Sequence, residues 1–422
     1  MDKLSNLLFK IRSKIAFFPT IISLAGLVMA FAMIYVEKLG ISDYLMNVAP
    51  SLVIDDTDTA KTILSTLIAG LISLTVFSFS MVMLLLSQAS SNFSPRVLPG
   101  IISDQTNQIV LGQYIATILY NIFILISLEP KENEYQTPGF SVLLGIILAV
   151  LCLASFIYFI HHISQSIQVG NILTNIHART KSALESMLNT QKNQSNEFPD
   201  THTWTGHKIY KTGYFYGILN DDLLKLCKKY DTKIYIHLFK GQYILDGTMA
   251  FYTKNNLDDD ALDAITDTLL FSNEELVGDN YVYGFRQLSE IGIKAMSPGI
   301  NDPGTALNTI DYLTSLFLEL TKKWEFEFIT SDDGDNWVKI KCAKFSEILY
   351  NVMATYRLYC KHDITVVRKL MQMLRTLANF SSNDSHHKII ELEMEQLTKD
   401  AEKGIKNERD LSKMDADFIS WS

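Results

Sequence analysis

Four apolar runs crowd into the first 161 residues of this chain, at 15–36, 62–87, 109–128 and 140–161. Each approaches or exceeds the roughly 20 residues that a helix needs to cross a hydrocarbon core. In lipid, backbone N–H and C=O groups must be satisfied within the segment, so runs of this kind fold as helices. The first run, "IAFFPTIISLAGLVMAFAMIYV", contains Ala30-Phe31-Ala32, which looks like a signal-peptidase site. Its length, and the charged leader before it, read instead as a retained anchor.

Loop charges set the orientation. Lys3, Lys10, Arg12 and Lys14 precede the first run, and Arg179 and Lys181 come after the fourth. The first loop carries Glu37, Asp43, Asp55, Asp56 and Asp58 against Lys38 and Lys61, and the third carries Glu129, Glu132 and Glu134 against Lys131. The positive-inside rule then places both termini in the cytoplasm.

The chain beyond the fourth run has the composition of a soluble protein and is long enough for one or two domains. The expected organisation is a basic N-terminus at 1–14, a four-helix transmembrane domain at 15–165, and an exit helix and linker at 166–205. A small cytoplasmic α/β unit at 206–280, a mainly helical domain at 281–408 and a loosely held tail at 409–422 complete it. The fold class is an α-helical membrane protein with four transmembrane helices and a cytoplasmic α+β domain: a small β-sandwich-like unit, then a helical bundle. In the small unit "HKIYKTGYFYGI" reads as one strand. Gly241 and Gly247 bracket a short apolar strand in what resembles a biotinyl-like hairpin, without a lysine at the turn for a carrier to use. Further on come helices at 281–296 and 303–322, a hairpin of "EFEFIT" and "NWVKIKCA" turned at "SDDGD", and helices near 343–360, 363–380 and 384–408.

Several function classes are disfavoured. Cys152, Cys227, Cys342 and Cys360 have no paired spacing, so neither a disulfide framework nor a zinc site is expected. His161 and His162 lack carboxylates at ligand spacing and read as packing residues. A net charge of −9 argues against nucleic acid as a partner. There is no P-loop, H-E-x-x-H, G-x-S-x-G or G-x-G-x-x-G. No catalytic residue, metal or cofactor is expected, and the chain reads as a non-enzyme.

Two stretches stand out. Along the second run, Thr66, Ser73, Ser80, Ser87 and Ser91 fall within an arc of about 60° on a helix, and Phe77 and Leu84 share it. Small hydroxyl residues on one face either let helices pack closely or line a wet path. Ser80→Leu should then disturb packing or conduction more than Ser78→Leu, which lies about 160° away. The stripe runs toward Pro95 and Arg96, where Arg96 either anchors in lipid headgroups or stands at a pore mouth. The second stretch, "MSPGINDPGTAL" (296–307), reads as a rigid corner between helices. Asn301 or Asp302 caps the next helix and Pro303 suits its first turn. Gly299 is expected in a backbone conformation that side chains disfavour. The alternative is an anion held by the amides of Gly304 and Thr305, or a subunit contact through Asp302.

"TVFSFSMVMLLLSQASSNFSPRVLPGIISDQTNQIVLG" (75–112), "YGFRQLSEIGIKAMSPGINDPGTAL" (283–307) and, more faintly, "GQYILDGTMAFY" resemble the DUF2254 family of predicted bacterial membrane proteins. The S-x-F-S-P-R and S-P-G-I-N-D-P blocks carry the resemblance, which extends over roughly residues 10–380. It implies a four-span inner-membrane protein with a cytoplasmic C-terminal domain, and it implies no reaction. The expected function is a homo-oligomeric channel or conduit for small ions, with the second span on the axis, a cytoplasmic vestibule, and Phe77 and Leu84 as constrictions. A membrane-anchored sensor or scaffold is the rival. Expected partners are membrane lipid and further copies of the chain.

Overall fold

A computed structural model describes residues 16–42, 44, 54, 56–92, 105–128, 139–192, 195–273 and 280–419. The chain divides into two compact units, 1–171 and 172–422. Among the described residues, four helices are long and apolar enough to cross a membrane.

These are α1 (Phe17–Glu37), α2 (Thr57–Asn92), α3 (Gln105–Ser127) and α4 (Gly139–Ser166). α3 packs against each of the other three. The expected spans are recovered within a few residues, except that α2 overruns its apolar run at both ends. Its 36 residues reach about 54 Å, well beyond a hydrocarbon core of about 30 Å.

α1 and α3 meet through small residues. Gly26 on α1 lies against Ala116 on α3, and Gly112 on α3 lies against Pro19 and Ile22 on α1, the close approach that small residues allow helix backbones in lipid. A Cβ on Gly26 would lie 2.7 Å from Ala116 Cβ and from its carbonyl oxygen, and one on Gly112 would lie 3.0 Å from Pro19 Cα. The close packing that small residues suggested for α2 is therefore made between α1 and α3.

A second brace joins the end of α1 to the start of α4. Glu37 Oε1 accepts the Ser141 N–H and the Ser141 hydroxyl, both at 2.7 Å. Glu37 Oε2 accepts from Ser42 Oγ at 2.6 Å, and Ser42 Oγ accepts from the Phe140 N–H at 3.0 Å. A helix start has orphan N–H groups and a partial positive charge, and a carboxylate from another element satisfies both. Tyr120 donates to the Ser141 carbonyl at 2.9 Å, tying α3 to the same corner.

α4 ends at Ser166, and the expected exit helix is α5 (Val169–Lys192), which starts after a two-residue break.

In the second unit, β1 (Thr205–Ile209), β3 (Ile234–Ile236), β5 (Thr248–Thr253), β7 (Phe326–Thr330) and β8 (Asn336–Lys341) form a sheet in the order β1-β5-β3-β8-β7. β2 (Gly213–Ile218), β4 (Tyr243–Ile244) and β6 (Leu269–Ser272) form a three-stranded sheet, β4-β2-β6. The expected single strand 207–218 is thus two strands in different sheets. The biotinyl-like hairpin is not formed either: β4 pairs with β2, whereas β5 pairs with β1 and β3. Gly241 and Gly247 do take left-handed conformations, φ 90° and 79°. The 326–341 hairpin, which the sequence placed within the helical region, joins the first sheet through a parallel β3–β8 pairing. α6 (Asn220–Lys229) and α7 (Asp259–Asp267) share its core, where Leu223, Cys227 and Ile265 pack on Ile234, Ile236, Phe251 and Val338.

The remaining helices are α8 (Tyr281–Ala295), α9 (Pro303–Leu320), α10 (Phe345–Cys360), α11 (Ile364–Phe380), α12 (Asp384–Gly404) and α13 (Glu408–Ile419). α8 packs on α9 and α10, α9 on α11, and α12 on α10 and α11. Phe317 links Phe285 and Phe345, with ring centroids 4.7 and 5.9 Å away. The segment expected to be a loose tail forms α13, with Met414 fully buried. All four cysteines are buried and free.

Two glycines in "YGFRQLSEIGIKA" permit close helix contacts. A Cβ on Gly284 would fall 1.8 Å from Thr180 Oγ1 of α5, and one on Gly292 would fall 2.0 Å from the Tyr356 hydroxyl of α10.

Candidate functional site

α2 has two opposed faces. Ala60, Leu64, Leu71, Ser78, Leu86 and Ala89 are buried in the first unit. At about 100° per residue these positions centre roughly 160° from the hydroxyl stripe. Thr66, Ser73, Phe77, Ser80, Leu84, Ser87 and Ser91 are all exposed, Phe77 at 51% and Leu84 at 64%. The hydroxyls of the stripe therefore point away from their own bundle, with Phe77 at the edge of the line, and one helix brings its seven residues together.

Part of that line satisfies itself. Thr66 Oγ1 donates to the Thr62 carbonyl at 2.7 Å and Ser73 Oγ to the Ala69 carbonyl at 3.0 Å. Such bonds to the preceding turn let a hydroxyl sit on an apolar helix. Phe77 touches a neighbouring helix, edge-on to Phe156 of α4 at 5.9 Å.

For packing within the single chain, the structure reverses the expected order of two substitutions. Ser78 is 3% exposed and lies against Tyr114 of α3, whereas Ser80 is open. A larger side chain at 78 has to enter a packed interface; at 80 it does not. For folding of the single chain, Ser78→Leu is the damaging change.

Sequence reasoning also missed a polar edge inside the bundle. On α3, Gln113 Oε1 accepts from Ser155 Oγ of α4 at 2.9 Å, and Thr117 Oγ1 lies 3.3 Å from Cys152 Sγ. Asn121 is fully buried against Gly145, where a Cβ would come 2.3 Å from its Oδ1. The signal was present as polar residues recurring through "QTNQIVLGQYIATILYNIF", one turn apart on the side that α3 buries.

Arg96 lies outside the described residues. The corner at 297–305 is described, and it lies in the second unit. Asp302 caps α9: Oδ1 accepts the Thr305 N–H at 3.1 Å and Oδ2 the Thr305 hydroxyl at 2.5 Å. Pro303 occupies the first turn. The Thr305 amide is thus engaged by a carboxylate, which already supplies the negative charge that a helix start favours. Gly304 and Asn301 are exposed and Thr305 is buried. The left-handed residue is Asn301, φ 49°, not Gly299, whose Cβ position is open. Asparagine tolerates that conformation better than most residues. Asp302→Ala is expected to lower stability by about 1 kcal/mol, and Asp302→Asn or Asp302→Ser to retain most of it, by denaturant unfolding of the three variants. A loss in Asp302→Asn as large as in Asp302→Ala would mean that the negative charge, not the cap, is what matters.

The His161 and His162 rings make local contacts. His162 stacks on Tyr158 at 5.9 Å, and His161 Nε2 lies 3.0 Å from Gln165 Nε2. Among the described residues no group of three or more His, Cys, Asp or Glu side chains is placed to hold a metal ion.

The family described as "Predicted membrane protein (DUF2254)" matches residues 12–376. An uncharacterized protein of Mycobacterium bovis is 23% identical over 363 residues, covering 83% of this chain and 70% of that protein. An uncharacterized protein of Mycobacterium tuberculosis matches with the same identity and coverage. No solved structure matches the chain. Four apolar helices, a second unit of mixed sheet and helix, and a family match across most of the length converge: the chain belongs to the DUF2254 family of predicted membrane proteins.

Proposed function

We propose that this protein is a non-enzymatic, homo-oligomeric conduit for small ions in the inner membrane. In this reading α2 lines the axis and the second unit stands on the cytoplasmic side. The observation that carries it is the direction of the stripe. Hydroxyls on the face of α2 opposite its own bundle are a poor match for lipid tails. They suit a face that meets the same face of other copies around a polar axis. α2 carries no ionisable residue after Lys61, so conduction is passive, through a weakly polar wall with Phe77 and Leu84 as the narrow points.

The test is ion flux through proteoliposomes together with the subunit number in lipid nanodiscs. The expected result is a ring of subunits whose flux falls in Ser80→Leu while that variant folds normally. Ser78→Leu is expected to lose about 1–3 kcal/mol of folding stability through overpacking. A monomer without flux, or flux unchanged by Ser80→Leu and Leu84→Ser together, sinks the reading.

Orientation rests on the loop charges. A cysteine placed at Asp56 is expected to react with an impermeant thiol reagent added to intact cells, and one placed at Asp384 is not; the reverse pattern would invert the topology.

A sensor or scaffold role for the second unit is the alternative, and one surface of its larger sheet favours it.

A further inference from the structure

The five-stranded sheet has two unlike faces. One is the apolar core beneath α6 and α7. On the other, Tyr235 of β3 lies directly opposite Tyr252 of β5 and in register with Lys339 of β8. The two tyrosine rings stack, with centroids 5.8 Å apart and planes 20° from parallel. His237, two residues along β3, stands edge-on to both, at 5.8 and 6.0 Å. Phe326 of β7 is edge-on to Tyr235 at 6.3 Å, and Lys339 Nζ sits 3.9 Å from the Phe326 ring centre. Lys341, paired with Phe326 across the hairpin, adds a second ammonium on the same side. All six side chains are half-buried, neither in the core nor fully in water.

Phe198, from the segment before β1, lies against Phe328 and within 5.9 Å of Lys339 Nζ, covering one end of this face; the rings of Tyr235, His237 and Tyr252 continue the row across β3 and β5. Aromatic rings and cations interleaved on a sheet are what stacks a planar base and holds a phosphate. Burial pushes the Tyr235 phenol up and the Lys339 ammonium down, with Asp200 opposing the latter. Burial and the Lys341 charge pull His237 down. The surface is therefore partly dehydrated already, which strengthens contacts made on it.

We propose that this face binds a mononucleotide, its base stacked on the Tyr235 and Tyr252 rings and its phosphates held by Lys339 and Lys341. A single nucleotide fits better than a polynucleotide. The patch spans four adjacent strands, about 15 Å at strand spacing, which is room for one or two bases. The net charge of −9 repels a long polyanion. The proposal does not depend on the conduction reading, and a loss of one leaves the other standing.

The experiment uses the full chain in nanodiscs and titrates it with the fluorescent nucleotide mant-ATP. Saturable binding is expected, displaced by ATP, with adenosine and tripolyphosphate each competing at least about tenfold more weakly. Tyr252→Ala and Lys339→Gln are each expected to weaken binding by about tenfold or more, and Tyr252→Phe to retain it. Lys339→Gln changes little volume and carries the test where Tyr252→Ala does not fold, as judged by circular dichroism. Absence of saturable binding overturns the proposal, as does tripolyphosphate competing as well as ATP. Tighter binding of a 20-nucleotide RNA than of ATP overturns it in favour of a polynucleotide surface.

Discussion

Arg357→Ala is expected to lower the stability of the second unit by about 3–5 kcal/mol, the range for removing one partner of a buried ion pair. Arg357 on α10 is 10% exposed and pairs with Glu393 of α12, itself 9% exposed. Its Nε also lies 3.2 Å from Asp400 Oδ2, two turns further along α12. The guanidinium thus bridges two carboxylates and ties the helices together. Without it, Glu393 is left as a buried charge with no counterion. Burial already raises the Glu393 carboxyl, and Arg357 is the main influence opposing that rise. A group whose folded-state value is raised favours the fold more as pH falls. Arg357→Ala should therefore regain part of its lost stability as pH drops through the region above the ordinary glutamate value of 4.5. The double variant Arg357→Met, Glu393→Leu should recover most of the loss at neutral pH, because the carboxylate it leaves without an arginine, Asp400, is 23% exposed and also accepts from Gln396 Nε2 at 3.1 Å. Denaturant unfolding of the three proteins checks this. A loss below about 1 kcal/mol in Arg357→Ala would class the pair with exposed salt bridges.

Gly26→Leu is expected to disrupt the first unit. The Cβ alone would lie 2.7 Å from the Ala116 carbonyl oxygen and 2.8 Å from Ala116 Cα. Those are backbone atoms of a packed helix, and they cannot swing aside as a side-chain tip can. The cost should reach or exceed the upper end of the ~1–3 kcal/mol range for overpacking, because α1 must be pushed off α3 along its length. Gly70→Leu is the matched control: it makes the same change in an apolar helix where a Cβ meets nothing within 4 Å. Unfolding in mixed detergent micelles should separate the two clearly. Equal tolerance would mean that α1 and α3 do not approach through these glycines.

Gly26 and Gly112 also show why some of the fold was legible and some was not. The small-x-x-x-small spacing is present in both apolar runs, yet spacing alone does not say which two helices it joins. The hydroxyl stripe on α2 is likewise visible as a pattern, and helix geometry alone places its members on one face. Whether that face turns inward or outward depends on where α3 and α4 pack, which is why the pattern alone ranked Ser80 above Ser78 for packing and the burial of Ser78 ranks them the other way. In the second unit, Asp302 was readable as a cap because its bonds are local, within three residues. The left-handed residue of the same corner was not, since Asn301 and Gly299 both suit a turn and only the path of the chain into α9 selects between them.

Residue types and their spacing alone determined the four apolar helices, most helices of the second unit, the 326–341 hairpin, the cap on α9 and the family. All of these rest on interactions between near neighbours in the chain: hydrogen bonds within a helix, a turn, or the length of an apolar run. Only the tertiary structure decided that β8 lies beside β3, about a hundred residues earlier, and that the Tyr235 ring meets both Tyr252 and Lys339. It also decided that Glu37 braces the start of α4 and that Arg357 sits between Glu393 and Asp400. The physical reason is that long-range pairing is chosen by which surfaces can be buried together without clash or unpaired charge. No single segment carries that information.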